Sequence, residues 1–145
     1  MDENIQPADC IFCQIVRGDA PAHRVYEDDQ ILVFMDIFPV AEGHALVIPK
    51  AHCSNLLDAA EDDLREVIAH SKRIAHAIRV ALVTDGIGVF QLNGAAAGQT
   101  VFHYHMHLIP RHKGDPLMIH SRTPGKPERL AEIAGQIAAA LAGTD

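Results

Sequence analysis

Three histidines at alternate positions are the chemical centre of this sequence. His103, His105 and His107 are interleaved with aromatic or aliphatic residues, namely Phe102, Tyr104, Met106 and Leu108. Successive side chains of a β-strand point to opposite faces, so this alternation predicts a strand with all three imidazoles on one face. At a rise of about 3.3 Å per residue, neighbouring imidazoles are expected roughly 6.6 Å apart. Such a row can contact one small substrate.

A row of this kind is open to three interpretations. Two histidines spaced by two on a strand can hold one zinc ion with a third ligand from elsewhere and leave a position for water, as in a metallohydrolase. A neutral imidazole can instead attack phosphorus, because its ordinary pKa of about 6.5 leaves one nitrogen lone pair free at neutral pH. In the third interpretation the histidines only line a polar strand face, and three of them in register disfavour it.

The segment that leads into the histidines is rich in small residues. Positions 93–99 read Asn-Gly-Ala-Ala-Ala-Gly-Gln and are followed by Thr100. Small residues let backbone amides approach phosphate oxygens closely, and Asn93, Gln99 and Thr100 offer neutral side-chain donors. We therefore predict an anion-binding loop here, with an ordinary hairpin connection as the alternative.

Cys10 and Cys13 form a second candidate site near the N-terminus. Two cysteines separated by two residues suit one half of a tetrahedral zinc site, or a redox pair at the start of a helix. The redox interpretation requires a preceding strand, which the polar segment 1–8 does not indicate. A zinc site needs two more ligands from elsewhere in the chain, for which histidine is a suitable residue type. An unmetallated thiol pair is the remaining alternative.

Local patterns predict one α+β domain over residues 1–145. Strands are expected at 24–27, 31–35, 45–48 and 88–92, in addition to the histidine strand. Asp58 and Glu61 have the spacing of a capping box, which predicts a long helix over about 60–83, and an apolar stripe predicts a C-terminal helix over 128–141. Residues 1–8 are expected to form a loose tail, and residues 112–145 the C-terminal loop and helix.

Composition limits the possible partners and the compartment. A formal net charge of −7 argues against a general binder of nucleic acid polymers, which would present a basic face. The sequence has neither an apolar run of membrane-spanning length nor a basic-then-apolar leader, so we expect a cytoplasmic protein with no membrane partner. The three cysteines, an odd number, fit a reducing compartment better than a disulfide framework.

The motif around the three histidines resembles the signature of the histidine triad (HIT) family, in which histidines alternate with apolar residues. The resemblance extends in the family's order over about residues 10–111. It includes Asp36-Ile37-Phe38-Pro39, the segment 43–50, His52, Asn93-Gly94 and Gly98-Gln99-Thr100-Val101. It implies an antiparallel sheet of about five strands with one long helix and a C-terminal helix, and a homodimer in which two sheets combine.

The resemblance also implies a function for individual residues. His105 would attack the α-phosphorus of a purine nucleotide such as AMP in an AMP conjugate, and water would then hydrolyse the nucleotidyl-histidine to release the nucleoside monophosphate. The conjugate is expected to be a phosphoramidate or a dinucleoside polyphosphate. The alternatives are a nucleotide-binding interaction protein without turnover and a His-ligated metallohydrolase.

Further residues take roles from the same resemblance. Charge on the phosphoryl oxygens would be stabilised by His107, Gln99, Thr100 and Asn93. Asp36 would bind the ribose hydroxyls, with Phe34 and Ile37 against the base, whereas a simple turn cap is the alternative for Asp36. A structural zinc ion would be held by Cys10, Cys13, His52 and His103.

Overall fold

The computed structural model describes residues 3–143 and confirms the α+β class. The helices are α1 (Ile11–Arg17), α2 (Glu61–Leu82) and α3 (Pro127–Ala142), and the strands are β1 (Arg24–Glu27), β2 (Ile31–Met35), β3 (Ala45–Pro49), β4 (Gly86–Phe90) and β5 (Met106–Arg111). The strands form one antiparallel sheet in the order β1-β2-β3-β5-β4. Within residues 3–143, no helix has the length and apolar character needed to cross a membrane.

The first two strands form the hairpin that the sequence predicts, and Asp28 closes it. Its Oδ1 accepts hydrogen bonds of 2.8 Å from the amides of Gln30 and Ile31. Burial acts to raise the pKa of Asp28, but these amides and the Tyr26 hydroxyl outweigh it and lower that pKa to about 2. The ionised carboxylate therefore stabilises the turn at neutral pH.

Both faces of the sheet are covered, which explains why every residue of β2 is buried. Val33 lies in the core formed with α2 and α3, whereas Phe34 lies in a second core formed with α1. In the sheet register Phe34 pairs with Leu46, and Leu46 pairs with His107. Directly opposed residues of antiparallel strands share a face, so His107 points to the side of the sheet that α1 covers.

The predicted helices begin and end within one residue of the observed bounds, but the predicted helix cap was wrong. Helix α2 begins after Ala60 without a side-chain cap. The Asp58 carboxylate instead accepts hydrogen bonds from the amides of Ser54 and Asn55, 3.0 and 2.9 Å long, because the chain turns there before the helix begins. Strand β4 starts and ends two residues earlier than predicted, at Gly86 and Phe90.

The prediction of one strand carrying all three histidines was also wrong. Strand β5 begins at Met106, so only His107 lies in it, and His103 and His105 precede it in irregular backbone. The Tyr104 amide donates to the carbonyl of Cys53 at 2.8 Å, outside the strand ladder. Hydrogen bonding to the segment after β3 therefore overrides the alternating pattern.

The N-terminal segment differs from the loose tail that the sequence predicts. Ser54 Oγ donates to the carbonyl of Glu3, and His52 Nε2 donates to the carbonyl of Ile5, both at 3.1 Å. The Glu3 carboxylate accepts a hydrogen bond from the Ala95 amide. These contacts hold the segment against the loop that precedes the histidines, while Met1 and Asp2 lie outside the described residues.

Candidate active site and metal centre

The histidines divide into two neighbouring groups instead of forming one regular row. All three are buried, with at most 7% of each residue exposed. The ring centroids of His105 and His107 are 4.8 Å apart. The ring of His103 instead packs 5.2 Å from that of His52, beside Cys10 and Cys13.

The hydrogen bond of His105 determines which of its nitrogens is free. Its Nδ1 lies 2.6 Å from the backbone carbonyl oxygen of His103. A carbonyl oxygen only accepts, so Nδ1 carries the hydrogen and a neutral ring keeps its lone pair on Nε2. Burial lowers the pKa of His105, although the bond to the carbonyl acts in the opposite direction. His105 is therefore a neutral imidazole whose lone pair lies on Nε2.

A second chain of hydrogen bonds fixes the opposite tautomer at His107. The Val40 amide donates to Nδ1 of His44 at 3.1 Å, so a neutral His44 carries its hydrogen on Nε2. That Nε2 lies 2.9 Å from Nδ1 of His107, which must accept. Burial first, and then the neighbouring charges, lower the pKa of His44 to about 3 and that of His107 to about 2, so both are neutral. His107 is left with an Nε2–H donor for a ligand.

Aromatic rings hold these two imidazoles in place. Phe12 of α1 meets the His105 ring edge-on, with centroids 5.2 Å apart and planes at 85°. Phe90 of β4 stacks on His107 at 4.5 Å and 13°. Close packing of this kind restricts ring rotation, so the direction of each free nitrogen is set by the fold.

The residues predicted to contact a nucleoside lie at the end of β2 and just after it. Phe34 is buried behind Phe12, with ring centroids 5.2 Å apart, whereas 54% of Ile37 is exposed. Oδ1 of Asp36 accepts from the Phe38 amide at 2.8 Å, as the turn-cap interpretation requires. Its other oxygen faces His44 Nε2 at 3.5 Å and retains acceptor capacity. Burial raises the pKa of Asp36, opposed by the Phe38 amide and by His120.

The predicted phosphate loop contains a short 3₁₀ helix, Ala95–Ala97, and its two amide side chains brace the loop. Gln99 accepts from the Gly94 amide at 2.8 Å and donates to the carbonyls of Ser54 and Val101 at 2.6 and 3.0 Å. Oδ1 of Asn93 accepts from the Leu56 amide. Thr100 is exposed at the end of the loop.

Four side chains that the resemblance assigned to a metal are brought together beside the site. One ligand atom from each of Cys10, Cys13, His52 and His103 lies within 4.8 Å of the others. Cys13 Sγ is 3.3 Å from His52 Nδ1 and 3.5 Å from His103 Nδ1, and Cys10 Sγ is 3.4 Å from the latter. Tetrahedral zinc with bonds of about 2.3 Å to sulfur and 2.0 Å to nitrogen places sulfur and nitrogen about 3.5 Å apart.

The protonation pattern also fits a metal. His52 and His103 each donate Nε2–H to a backbone carbonyl, of Ile5 at 3.1 Å and of Pro49 at 2.7 Å, so both Nδ1 lone pairs face the cysteines. Without a cation, burial and the adjacent Cys10 raise the pKa of Cys13 to about 12. A divalent ion reverses this effect, because thiolates are the preferred ligands of zinc.

A second group with metal-binding residue types consists of Asp36, His44 and His107. Here Nε2 of His44 carries a hydrogen, as the bond from Val40 requires, so the three atoms do not offer three lone pairs. The hydrogen bonds of these side chains explain why they lie close together without a metal ion. Among the described residues, neither candidate metal cluster includes His105.

Sequence reasoning missed three residues of the site, one of which is Phe90, the residue stacked on His107. His44 lies 63 positions from its partner His107, and only its place in Gly43-His44 before an apolar run pointed to it. Phe12 stands between the two cysteines, and no pattern in the sequence assigned it a role. Its contact with His105 depends on how α1 covers the sheet.

Comparison with known proteins identifies the family of this chain. A family model described as HIT domain matches residues 17–114. Protein hit of Bacillus subtilis (strain 168) is 43% identical over 139 residues, covering 93% of this chain and 96% of that protein. A Zn-bound histidine triad family protein from Mycobacterium smegmatis has a crystal structure that matches with a TM-score of 0.86 and 42% identity, covering 97% of this chain and 98% of that chain.

The chain therefore belongs to the histidine triad family. The family includes hydrolases, and one relative is named adenylylsulfatase HINT3, from Arabidopsis thaliana. That relative is 40% identical over 109 residues, covering 75% of this chain and 55% of its own length.

Proposed function

We propose that this protein hydrolyses purine nucleotide conjugates at the α-phosphate, with His105 as the nucleophile. The hydrogen bond from His105 Nδ1 to the His103 carbonyl carries the proposal, because it leaves the lone pair of a neutral imidazole on Nε2. Attack on phosphorus requires that lone pair. A relative named as an adenylylsulfatase supports the same class of reaction.

The reaction takes place in two displacements. Nε2 of His105 forms a bond to the α-phosphorus while the bond from phosphorus to the leaving group breaks, and the leaving group takes that electron pair. The positive charge that develops on the ring is stabilised by the His103 carbonyl. Water then bonds to phosphorus and releases a proton to solvent, while the P–Nε2 bond breaks and its electron pair returns to the ring. The monophosphate leaves with retained configuration. Each step has a lower barrier than direct hydrolysis.

Donors around the phosphate stabilise its developing charge. His107 donates from Nε2–H, since its Nδ1 is occupied by His44. Thr100 and the remaining amide hydrogens of Asn93 contribute in the same way. Gln99 takes a supporting role, because both hydrogens of its amide are bonded to loop carbonyls.

The nucleoside half binds beside α1. Asp36 accepts the ribose hydroxyls with the oxygen that does not cap the turn. Ile37, which is exposed, contacts the base, and the buried Phe34 supports this contact from the core side, with AMP as the simplest ligand. Burial of an aromatic base against apolar side chains supplies affinity, and the carboxylate supplies orientation.

We infer that Cys10, Cys13, His52 and His103 hold a structural zinc ion. The convergence of two sulfurs and two nitrogen lone pairs within 4.8 Å supports this assignment. These four residues would hold the ion, which would cross-link α1, the segment after β3 and the approach to β5. As a ligand, His103 would keep its backbone carbonyl aligned with Nδ1 of His105.

We also infer a homodimer formed through α2 and the edge strand β4. A groove between them is lined mainly by apolar or small side chains, including Ile68, Ala75 and Val89. Ile68 is 53% and Val89 is 47% exposed, and β4 pairs with β5 on one side only. A second copy would cover both the apolar groove and the unpaired strand edge.

The decisive experiment is mass spectrometry of protein quenched during turnover of diadenosine triphosphate or a lysyl adenosine phosphoramidate. We expect one AMP added at His105, and neither adduct nor turnover for His105→Ala. Binding of AMP without cleavage would favour an interaction protein. Turnover without an adduct, lost on chelation while the protein stays folded, would favour a metallohydrolase.

A further inference from the structure

The loop between β5 and α3 passes beside the site, and we call residues 112–126 the rim segment. Arg111 donates from Nη1 to the carbonyl of Pro116 at 3.1 Å and from Nη2 to that of Met118, which turns the chain back from the far end of β5. Near its other end, the Gly125 amide donates to the carbonyl of Ile37 at 2.8 Å. The rim segment is therefore held beside Ile37, one of the residues proposed to bind the nucleoside.

Between these anchors, His120 reaches the phosphate end of the site. A side-chain carbon placed on Gly98 would lie 3.3 Å from His120 Nε2, so the imidazole contacts the last glycine of the phosphate loop. Gly98 has a φ of 102°, a conformation that favours glycine. His120 also lowers the pKa of His44, His107 and Asp36, which places it in electrostatic reach of all three.

The charge of the rim segment is opposite to that of the whole chain. Residues 112–126 contain Lys113, Arg122 and Lys126 against one acidic residue, Asp115, in a chain of net charge −7. His120 is exposed, so its ring can contact a ligand that extends beyond the buried histidines. A cationic or hydrogen-bonding group in that position favours an anion.

From this placement we infer that His120 forms a leaving-group subsite that selects conjugates whose leaving group is an oxyanion, a phosphate or sulfate, over those with an amine. This inference rests on the proposed hydrolysis at the α-phosphate. His105 and His107 act on the α-phosphate itself, whereas His120 donates to an oxygen beyond the bond that breaks. It determines specificity and takes no part in the displacement.

The test compares substrates that share the AMP moiety and differ in the leaving group. Hydrolysis of adenylyl sulfate, diadenosine triphosphate and adenosine 5′-phosphoramidate is measured for the wild type, His120→Ala, His120→Gln and His112→Ala. His112 is the matched control, an exposed histidine of the same rim segment whose Nδ1 lies 3.8 Å from Asp115. The oxyanion substrate with the higher kcat/KM identifies whether sulfate or phosphate is the preferred group.

We expect His120→Ala to lower kcat/KM about tenfold for the preferred oxyanion substrate, as for one lost charge-assisted hydrogen bond, and to leave the phosphoramidate within about twofold of wild type. His120→Gln keeps a neutral donor and should give an intermediate loss, and His112→Ala should give none. An equal change for all substrates, or no change, overturns the inference while leaving the proposed hydrolysis intact.

Calorimetry of ADP and AMP provides a measurement that does not depend on turnover. The β-phosphate of ADP occupies the leaving-group position, so His120→Ala should reduce the preference for ADP over AMP about tenfold. If the wild type binds AMP but hydrolyses nothing, the proposed function fails, and an unchanged ADP-to-AMP ratio would overturn this inference separately. A wild type that binds neither nucleotide overturns both.

Discussion

The Nδ1 of His105 donates to the backbone carbonyl of His103 across 2.6 Å, and this bond joins the candidate active site to the candidate metal centre. Both ring nitrogens and the backbone carbonyl of His103 take part in this arrangement. Its Nε2 donates to the Pro49 carbonyl at 2.7 Å and its Nδ1 faces both cysteines. The residue that would ligate the metal therefore also determines the tautomer of the nucleophile.

Metal removal is expected to affect stability and turnover together. When free zinc exceeds its Kd a thousandfold, binding contributes about 4 kcal/mol to the free energy of unfolding. We expect Cys13→Ser to lose this contribution and to lower kcat, because the His103 carbonyl is no longer held in place. The measurements are metal content by mass spectrometry, urea unfolding and kcat. Cys53→Ser is the control, since this buried thiol lies outside the cluster. Equal zinc content in Cys13→Ser and wild type would refute the assignment.

Loss of His44 is expected to disturb the tautomer of His107. In His44→Leu nothing donates to His107 Nδ1, so the hydrogen can move to that nitrogen and the Nε2–H donor is lost. We expect kcat to fall about tenfold to a hundredfold, with AMP affinity nearly unchanged. In His44→Gln the amide can donate in place of the imidazole and should restore part of the rate. Nitrogen-15 NMR of the imidazoles reports the tautomer directly, and an unchanged His107 spectrum in His44→Leu would contradict the hydrogen-bond chain.

Acid is expected to destabilise the fold through the buried neutral histidines. Burial lowers the pKa of His44 from 6.5 to about 3. Between these values the unfolded chain binds more protons than the folded one, so stability is fully present above pH 6.5 and is lost as the pH falls towards 3. His44 should contribute a loss of about 1.4 kcal/mol per pH unit in this window.

The comparison that isolates this effect is urea unfolding of wild type and His44→Leu at several pH values. In the variant, the free energy of unfolding should depend less steeply on pH, by an amount that corresponds to about one bound proton. The groups that act on His44 are His107, Asp36, Arg111, His105 and His120, and they are retained in the variant. Parallel pH profiles would show that His44 is not held neutral by burial.

A charge in the α2/β4 groove is expected to separate the two copies of the proposed dimer. Val89→Glu places a carboxylate on the unpaired face of the edge strand, where a partner would have to bury it at a cost of several kcal/mol. Analytical ultracentrifugation should give a dimer for wild type and a monomer for Val89→Glu. Leu57→Glu is the control, because Leu57 is 85% exposed and lies outside the groove. A wild type that sediments as a monomer would refute the dimer.

Much of the secondary structure could be predicted because its signals are local. The apolar periods of α2 and α3 and the Asp28 turn between β1 and β2 each lie within a few residues, and all were confirmed. The alternation around the histidines was equally local and misled the strand prediction. At His103 and Tyr104, bonds to Pro49 and Cys53 replaced the strand ladder.

The sequence by itself determined the kinds of chemistry available: imidazoles that can attack phosphorus, thiols and imidazoles that can hold zinc, and an acidic chain that suits a small ligand better than a polymer. Only the tertiary structure decided which nitrogen of each imidazole is free, because that depends on partners far away in sequence, such as Val40 and His44 for His107. It also divided the histidines between two sites and brought His120 to Gly98. Residue type fixes what a side chain can donate or accept, whereas the packed fold fixes which of those groups is already used.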